Sequence, residues 1–339
     1  MKPKYHRLAL AAFASTIVVT SSLGAAADLY WKTSTAGSWT GALWGTVAGG
    51  PYDQAWVSGS NVIFEENGGT ALTITGATTA VAGIIANENV TVTASGTLTT
   101  DGTVVTVAVA DGKTLNFQGQ ALSTAVGTGF IKNGPGILSL TGSSYPGGLT
   151  LNAGTIAAGG VNALGTGGSL TINAGTIRST TTAARTFAGK LSSIIVGGNF
   201  TLGDTVNNGA LTFNAATDLG SATRTITVNS AVAMTGEISG DAGVGLTKAG
   251  AGTLTLGAIN SYDGPTSVTG GVLVFPKRAS LYNADTAMWT AGNLVMSPGT
   301  TLGLGFGGAG DFTAAEVATL AALAPGLALR TPAKTNIAF

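Results

Sequence analysis

The chain contains no cysteine and a single histidine, His6. The missing thiols exclude disulfide bonds, thiolate metal sites and a cysteine nucleophile. His6 lies in a leader that we expect to be removed on export, so the remaining chain has no imidazole. This absence excludes Ser-His-Asp triads and histidine-based zinc sites. We therefore predict no cofactor, no metal site and no catalytic residues.

Charged residues are also scarce, at 9% of the chain. Once the leader at 1–27 is set aside, 12 basic and 15 acidic side chains remain, a net charge of −3. No basic patch is present, which excludes nucleic acid as a partner. Glycine, in contrast, numbers 53, roughly twice its usual share of about 7%. That composition suits short strands joined by tight turns, because glycine adopts positive φ without steric cost.

The segment 1–27 has the pattern of a signal peptide. Lys2, Lys4 and Arg7 form a positive segment, an apolar stretch covers 8–19, and a small-residue cleavage site covers 25–27. The alternative is a membrane anchor, but the apolar stretch is shorter than the roughly 20 residues that span a bilayer. We expect no transmembrane segment in the mature chain, which would begin at Asp28. The location is then periplasmic, cell-surface or extracellular.

A short strand pattern occurs twice in the middle of the chain. Residues 149–156 read LTLNAGTI and residues 170–177 read LTINAGTI, a match at seven of eight positions. Alternating apolar and polar residues indicate a half-buried strand. The strand recurs 21 residues later, a spacing that is typical of one coil of a solenoid. The repeat predicts that three apolar residues of one coil stack on three of the next, namely Leu149, Leu151 and Ile156 on Leu170, Ile172 and Ile177.

A longer repeat covers 129–156 and 245–273. Each copy has a lysine followed by two glycines and then two leucines at alternating positions. The aligned residues are Lys132, Gly134, Gly136, Leu138, Leu140, Tyr145 and Gly147 with Lys248, Gly250, Gly252, Leu254, Leu256, Tyr262 and Gly264. This order predicts a strand, a tight turn, a second strand and a second turn.

The unit resembles the autotransporter-associated β-strand repeat, whose pattern runs L-x-K-x-G-x-G-x-L-x-L, a loop, then Y-x-G-x-T-x-V. The first copy departs from it, since Phe130 replaces the opening leucine and 149–151 replaces Thr-x-Val. The resemblance implies a parallel β-helix passenger on a bacterial surface and implies no activity. A complete autotransporter also ends in a translocator barrel. Only 311–339 follows Gly310, so we expect no such barrel in this chain.

The two ends differ from the middle. Seven aromatic residues fall within 28–64 and include Trp31, Trp39, Trp44 and Trp56. These tryptophans are either a cap that seals the first coil or a platform that stacks on sugar rings. Near the other end, Thr313 and Glu316 have the spacing of a capping box, which predicts a helix over about 314–323. This helix is either a lid on the last coil or a docking element for a partner.

Acidic residues are too sparse to predict an enzyme site. Glu65 and Glu66 are adjacent and would point to opposite faces of a strand. Three Asp-Gly pairs, at 101, 111 and 263, are typical of turns. A segment at 307–311 matches once, and partially, the nonapeptide of calcium-binding β-rolls. Three arginines, Arg178, Arg185 and Arg224, have no acidic partner placed near them by the sequence.

We therefore predict an all-β, right-handed parallel β-helix (a β-solenoid) with four segments. These are a signal peptide at 1–27, an aromatic-rich cap at 28–64, the solenoid at 65–308 and a C-terminal cap with a short helix at 309–339. The predicted function is an exported structural or interaction protein, a surface stalk or adhesin module without catalysis. The alternatives are a polysaccharide-binding module built on the tryptophans and a polysaccharide-degrading β-helix enzyme. The predicted partner is a surface polysaccharide or another cell-surface component.

Overall fold

The computed structural model describes residues 26–32, 36–65, 72–76, 78–93, 96–100, 104–118, 120–123, 129–141, 143–144, 147–323 and 328–330. Nearly every regular element in these ranges is a short β-strand. The N-terminal strands are β1 (Asp28–Trp31), β2 (Gly37–Ser38), β3 (Trp44–Gly45), β4 (Ser60–Phe64), β5 (Leu72–Thr75), β6 (Thr79–Ala86), β7 (Val90–Thr93), β8 (Gly96–Thr100), β9 (Val105–Val109), β10 (Thr114–Phe117) and β11 (Gln120–Ser123).

The central strands follow, with no helix among the described residues between them. They are β12 (Phe130–Asn133), β13 (Ile137–Leu140), β14 (Ser143–Ser144), β15 (Leu149–Leu151), β16 (Thr155–Ala158), β17 (Leu170–Ile172), β18 (Thr176–Ser179), β19 (Arg185–Thr186), β20 (Ser193–Val196), β21 (Phe200–Leu202), β22 (Leu211–Phe213) and β23 (Ala216–Asp218).

The last part adds three 3₁₀ turns and one α-helix. Its strands are β24 (Arg224–Val228), β25 (Val232–Met234), β26 (Ile238–Ser239), β27 (Leu246–Ala249), β28 (Thr253–Leu256), β29 (Thr266–Val268), β30 (Val272–Phe275), β31 (Leu294–Met296), β32 (Thr301–Leu304) and β33 (Ala328–Arg330). The 3₁₀ turns are Arg278–Ser280, Tyr282–Ala284 and Thr286–Met288, and helix α1 is Ala314–Leu323.

Three sheets, parallel except for the antiparallel pair β1–β3, form the faces of a solenoid. Face A has 14 strands, with the order β4-β6-β9-β12-β15-β17-β20-β23-β26 along its main path. Face B has 12 strands, β2-β5-β7-β10-β13-β16-β18-β21-β24-β27-β29-β31, and face C has seven, β19-β22-β25-β28-β30-β32-β33. Each strand pairs with the strand one coil later, so the predicted β-solenoid is confirmed. Its right-handed sense stays a prediction, based on the strong preference for right-handed parallel crossovers.

The long strand β6 starts a third side in the N-terminal coils. Its first half pairs with β8 and its second half pairs with β9. Strand β8 then pairs with β11, and β11 pairs with β14. The stack also begins early, because β1 pairs in parallel with β4 within the segment predicted as a separate cap.

The predicted stacking of the short repeat is confirmed residue by residue. Leu149 and Leu151 pair with Leu170 and Ile172 on face A, and Ile156 pairs with Ile177 on face B. All six side chains are buried. Because alternate residues of each strand point inward, the coils share one apolar core that runs along the solenoid axis.

Helix α1 has the bounds and the capping box predicted from the sequence. The Thr313 amide donates to Glu316 Oε2 at 3.0 Å, and the Glu316 amide donates to Thr313 Oγ1 at 3.3 Å. Glu316 Oε1 also accepts from Arg278 Nε at 2.5 Å, and Leu320 is buried. The helix is therefore held against the core by one ion pair and by three apolar side chains, the buried Leu320 and the partly buried Val317 and Leu323.

Turns between coils pack so closely that only glycine fits at some positions. Gly154 lies between β15 and β16 with φ of +73°. A Cβ there would lie 2.4 Å from Gly134 O and 2.5 Å from Gly136 O of the preceding coil. The turn thus needs glycine for its positive φ and for the approach of the neighbouring backbone.

This packing predicts that Gly154→Ala destabilises the fold much more than a substitution that meets only the φ requirement. Gly189 is a matched control, since its φ is +67° and nothing lies within 4 Å of its Cβ position. We expect a loss of about 1–2 kcal/mol for Gly189→Ala and about 1–3 kcal/mol more for Gly154→Ala. Guanidinium denaturation followed by circular dichroism measures both, and equal losses would refute the close-approach argument.

Candidate functional site

The four tryptophans predicted as a sugar platform come together in the first coils. Trp31 lies on β1, Trp44 on β3, and Trp39 and Trp56 lie in the adjoining turns. Trp31, Trp39 and Trp44 have no exposed surface, and Trp56 is half-buried. With Phe64 they form an aromatic cluster inside the end of the solenoid.

Three of the six ring pairs in the aromatic cluster meet edge to face, and the other three are tilted. Trp31 and Trp44 have centroids 4.8 Å apart at 84°, and Trp39 and Trp56 lie 5.5 Å apart at 73°. Trp44 Nε1 donates to Trp39 O at 2.8 Å, and Trp56 Nε1 donates to Thr79 Oγ1 at 2.7 Å. Sugar stacking needs an open ring face, which the three buried rings do not present. Binding of a glycan by Trp56 stays a prediction.

The lysine of each long repeat, called here a repeat lysine, is buried beside a turn. Lys132 has no exposed surface. Its Nζ donates to Asn133 O at 2.7 Å and Gly134 O at 2.8 Å in its own turn. It also donates to Ala153 O, in the turn of the next coil, at 3.2 Å. One ammonium therefore binds three carbonyl oxygens and links two successive coils.

The second copy of the repeat has the same arrangement. Lys248 is fully buried, and its Nζ donates to Ala249 O at 3.2 Å, Gly250 O at 2.6 Å and Gly270 O at 2.7 Å. Yet Lys132 lies on β12 of face A, whereas Lys248 lies on β27 of face B. The repeat therefore fixes a local pair of turns and does not fix the face on which it begins.

Burial lowers the pKa of each repeat lysine to about 8, from an ordinary value of 10.5. The cause is the loss of water around the ammonium, which disfavours the charged form. At neutral pH both lysines keep the proton that lets Nζ donate to all three carbonyls. The repeat thus places a cation where turn carbonyls of two coils would otherwise lack a donor.

A second polar network lies under the loop of the second repeat, and sequence reasoning found only part of it. Tyr262, recognised from its Tyr-x-Gly pattern, is 2.8 Å from Thr266 Oγ1 through its hydroxyl. Tyr282 Oη is 2.9 Å from the same hydroxyl and donates to Asn293 O at 2.7 Å. Burial raises the pKa of both tyrosines. Tyr145, the counterpart of Tyr262, lies outside the described residues.

Tyr282 reaches this network through an unusual backbone. Tyr282, Asn283 and Ala284 have φ of 50°, 51° and 61°. Three consecutive left-handed residues without glycine are strained, and the sequence carries no signal for them. The hydrogen bonds of the Tyr282 hydroxyl, buried in the core, offset this strain.

Most carboxylates of the described ranges hold turns rather than converge on a site. Asp263 accepts from the Gly243 amide at 2.6 Å, Asp218 from the Gly220 amide at 2.8 Å and Asp204 from the Val206 amide at 2.7 Å. Within those ranges no three Asp, Glu, His or Cys side chains are grouped to hold a metal. Asp101 and Glu66 lie outside the described residues.

The arginines and the partial calcium motif also have structural partners. Arg178 pairs with Asp204 at 3.3 Å, which sequence reasoning did not place together. Arg185 Nε and Arg224 Nε each donate to a backbone carbonyl at 3.0 Å. In the 307–311 loop, Asp311 Oδ1 accepts from Lys277 Nζ at 2.8 Å. An ammonium thus occupies the carboxylate that a calcium ion would need.

Glu88 is the carboxylate that sequence reasoning missed. It lies in the turn between β6 and β7, is 1% exposed, and its two oxygens have no hydrogen-bond partner among the described residues. Burial and the nearby Glu65 raise its pKa to about 7, and Lys113 acts in the opposite direction. No sequence motif marks it, because its burial arises from the packing of three coils.

Helices contribute little to the described part of the chain, and none there is long and apolar enough to cross a membrane. The family model of the passenger-associated transport repeat matches residues 130–158 and 246–275, which contain the two repeat lysines. No solved structure matches the chain.

One curated protein extends the comparison beyond the repeats. The chain is similar to the protein named Adhesin BmaC autotransporter of Brucella suis biovar 1 (strain 1330), with 33% identity over 263 residues. The alignment covers 73% of this chain and 7% of the adhesin. The chain therefore spans a small fraction of that relative's length.

The repeat lysines predict that stability rises with pH between about 8 and 10. Each lysine loses its proton near pH 8 in the folded chain and near 10.5 in the unfolded chain. Across this window the unfolded chain binds more protons, so raising the pH favours the folded state. Each lysine adds at most about 1.4 kcal/mol per pH unit. Guanidinium denaturation at pH 7, 8, 9 and 10 measures the slope.

Two variants test whether the rise in stability with pH comes from the two repeat lysines. The double variant Lys132→Met/Lys248→Met should lose the rise, whereas Lys32→Met, which removes an exposed lysine, should keep it. A wild-type free energy of unfolding that is flat or falls from pH 8 to pH 10 would contradict the lowered pKa values.

Proposed function

This chain belongs to the autotransporter passenger-repeat family, and from that premise we propose that it is an exported β-solenoid that acts at the cell surface as a stalk or adhesin module without catalysis. The observation that carries the proposal is the stacking of both repeats into one continuous core, with each repeat lysine linking two coils. This architecture extends by adding coils and needs no ligand to be complete.

Export is supported at the N-terminus. The first strand begins at Asp28, the residue that follows the predicted signal-peptide cleavage site. Asp28 pairs with Asn61 in the next coil through its backbone, and its side chain accepts from Asn61 Nδ2 at 2.8 Å. Removal of 1–27 would remove one backbone hydrogen bond, from the Asn61 amide to Ala27 O, and would leave every residue of the first strand in place.

The proposed adhesive role is based on the similarity to a protein named as an adhesin. The proposed lack of catalysis is based on the polar side chains, which already have structural partners. The lysines, arginines and most aspartates described above bind turn carbonyls, turn amides or each other. General acid–base catalysis needs such groups free to reach a substrate. Contact through the outer faces would instead use hydroxyl and apolar side chains spread along the strands.

The experiment uses the full chain, expressed with its own leader in a Gram-negative host and purified from the exported fraction. We expect the purified protein to have the mass of a chain that begins at Asp28. We also expect it to release no new reducing ends from a panel of polysaccharides. Beads coated with the folded chain should adhere to intact cells or to polysaccharide-coated surfaces more than beads coated with heat-unfolded chain.

Other outcomes would change the assignment. Cleavage of any polysaccharide would overturn the non-catalytic proposal. Adhesion that is lost in Trp56→Ala and kept in Val57→Ala, an exposed neighbour, would move the contact to the aromatic cluster. Equal adhesion of folded and unfolded chain would refute a specific adhesin role.

A further inference from the structure

Asparagine followed by glycine is a chemically reactive pair, and the chain contains three such pairs, beginning at 67, 133 and 208. Glycine has no Cβ, so its backbone nitrogen can approach the side-chain carbon of the preceding asparagine without steric hindrance. Asn67 lies outside the described residues. The structure describes Asn133 and Asn208 and places them in very different surroundings.

Asn133 is fixed by a ladder of three asparagine side chains from successive coils. It lies on β12 and is half-buried. Its Oδ1 accepts from Asn152 Nδ2 at 2.9 Å, and Asn152 Oδ1 accepts from Asn173 Nδ2 at 2.7 Å. Lys132 Nζ also donates to the carbonyl oxygens of Asn133 and Gly134. The side chain and the backbone around the reactive nitrogen are therefore both held in place.

Asn208 lies in a more open place, the turn between β21 and β22. It is exposed, and its side chain has no hydrogen-bond partner in the part of the chain that the structure describes. The turn is held mainly at Asp204, whose carboxylate accepts from the Val206 amide at 2.7 Å and from the Asn207 amide at 3.3 Å. Asp204 also pairs with Arg178. These contacts precede Asn208 in the chain and leave its side chain free to rotate.

The nitrogen that can attack Asn208 belongs to Gly209. Its N–H donates to Thr181 O at 3.2 Å, which is at the long end of the range for such bonds. This contact opposes the reaction, because the amide must leave Thr181 before it attacks. Opening one long hydrogen bond nevertheless costs less than opening the asparagine ladder and the contacts of Lys132 together. The fold therefore protects Asn133 more than Asn208.

We propose that Asn208 is a site of spontaneous deamidation, at which the turn converts an amide into a carboxylate. The Gly209 nitrogen gives its proton to a solvent base and attacks Asn208 Cγ. The new bond joins Cγ to the Gly209 nitrogen, the bond from Cγ to Nδ2 breaks, and Nδ2 leaves as ammonia with a proton from solvent. Water then opens the cyclic imide at either carbonyl and gives aspartate or isoaspartate. The reaction consumes water, releases ammonia and involves no oxidation or reduction.

Both products change the turn. Each adds a negative charge to a segment that already contains the carboxylate of Asp204. Isoaspartate also adds a carbon to the backbone directly before Gly209. The backbone there packs so closely on the preceding coil that a Cβ at Gly209 would lie 2.0 Å from Ala183 O. We therefore expect isoaspartate at this position to weaken the contact between Gly209 and Thr181 and to loosen the start of β22.

Peptide mapping by mass spectrometry tests the site in the full exported chain. Folded chain and guanidinium-unfolded chain are incubated at pH 8.5 until half of Asn133 in the unfolded chain is deamidated. We expect Asn133 and Asn208 to convert at similar rates in the unfolded chain. In the folded chain we expect Asn208 to convert at least roughly tenfold faster than Asn133, since tenfold corresponds to the net strength of about one hydrogen bond.

The product and one variant test the mechanism. An isoaspartate-specific methyltransferase should label position 208, because only the cyclic imide gives isoaspartate. Asn208→Gln keeps an exposed amide but would need a larger ring, so its amide should persist. The proposal is overturned by a folded chain that keeps Asn208 as an amide or that converts both sites equally. Aspartate without isoaspartate at 208, or conversion of Asn208→Gln at the wild-type rate, would also overturn it, since either result indicates direct hydrolysis by water.

Discussion

Parallel pairing between successive coils is the constraint on which the structure depends. Each strand donates hydrogen bonds to, and accepts them from, the strands on both sides, so a coil is complete only when both neighbours are present. The register then determines the core, since Val107, Lys132, Leu151 and Ile172 fall in one inward column of face A. An inward position must be apolar unless the turn beside it supplies polar partners. Lys132 satisfies this condition, because its own turn offers two carbonyl oxygens and the turn of the next coil offers a third.

The two repeat lysines explain why a glycine-rich turn follows each of them. Closely packed turns leave carbonyl oxygens that a neighbouring strand cannot reach, and an unpaired buried carbonyl is costly. A lysine side chain is long enough to reach its own turn and the next one, and its ammonium has three donors. The lowered pKa of each lysine reflects the cost of taking that charge out of water. Because this arrangement is local, it works equally on face A and on face B.

Sequence reasoning succeeded where structure follows from local pattern. The register of Leu149 and Leu151 on the next coil, the bounds of α1 and its Thr313–Glu316 capping box all depend on residues a few positions or one repeat apart. The turn role expected for Asp263 belongs to the same group. In each case the period or the cap residue carries the information, and tertiary context did not override it.

The remaining features depend on which residues meet across coils, and coil lengths vary too much for spacing alone to show this. The recurrence of the repeat did not reveal that its second copy begins on a different face. The tryptophans of 28–64 favour a cap over a sugar platform in sequence, and only their mutual packing shows that three of them have no exposed face. Glu88 and Tyr282 belong to no motif, because each is buried by segments far away in the chain.

The distribution of polar groups distinguishes the two ends of the solenoid. Near the C-terminus, Tyr262 and Tyr282 meet at the Thr266 hydroxyl, and Arg278 pairs with Glu316, so these polar groups have partners. Near the N-terminus, Glu88 is buried without a hydrogen-bond partner among the described residues, and burial and the nearby Glu65 raise its pKa. A solenoid is as resistant to opening as its weakest coil, because each coil supports only its neighbours. Changes of pH should therefore act at Glu88 in the N-terminal coils and at the two repeat lysines, because burial shifts the pKa of all three side chains.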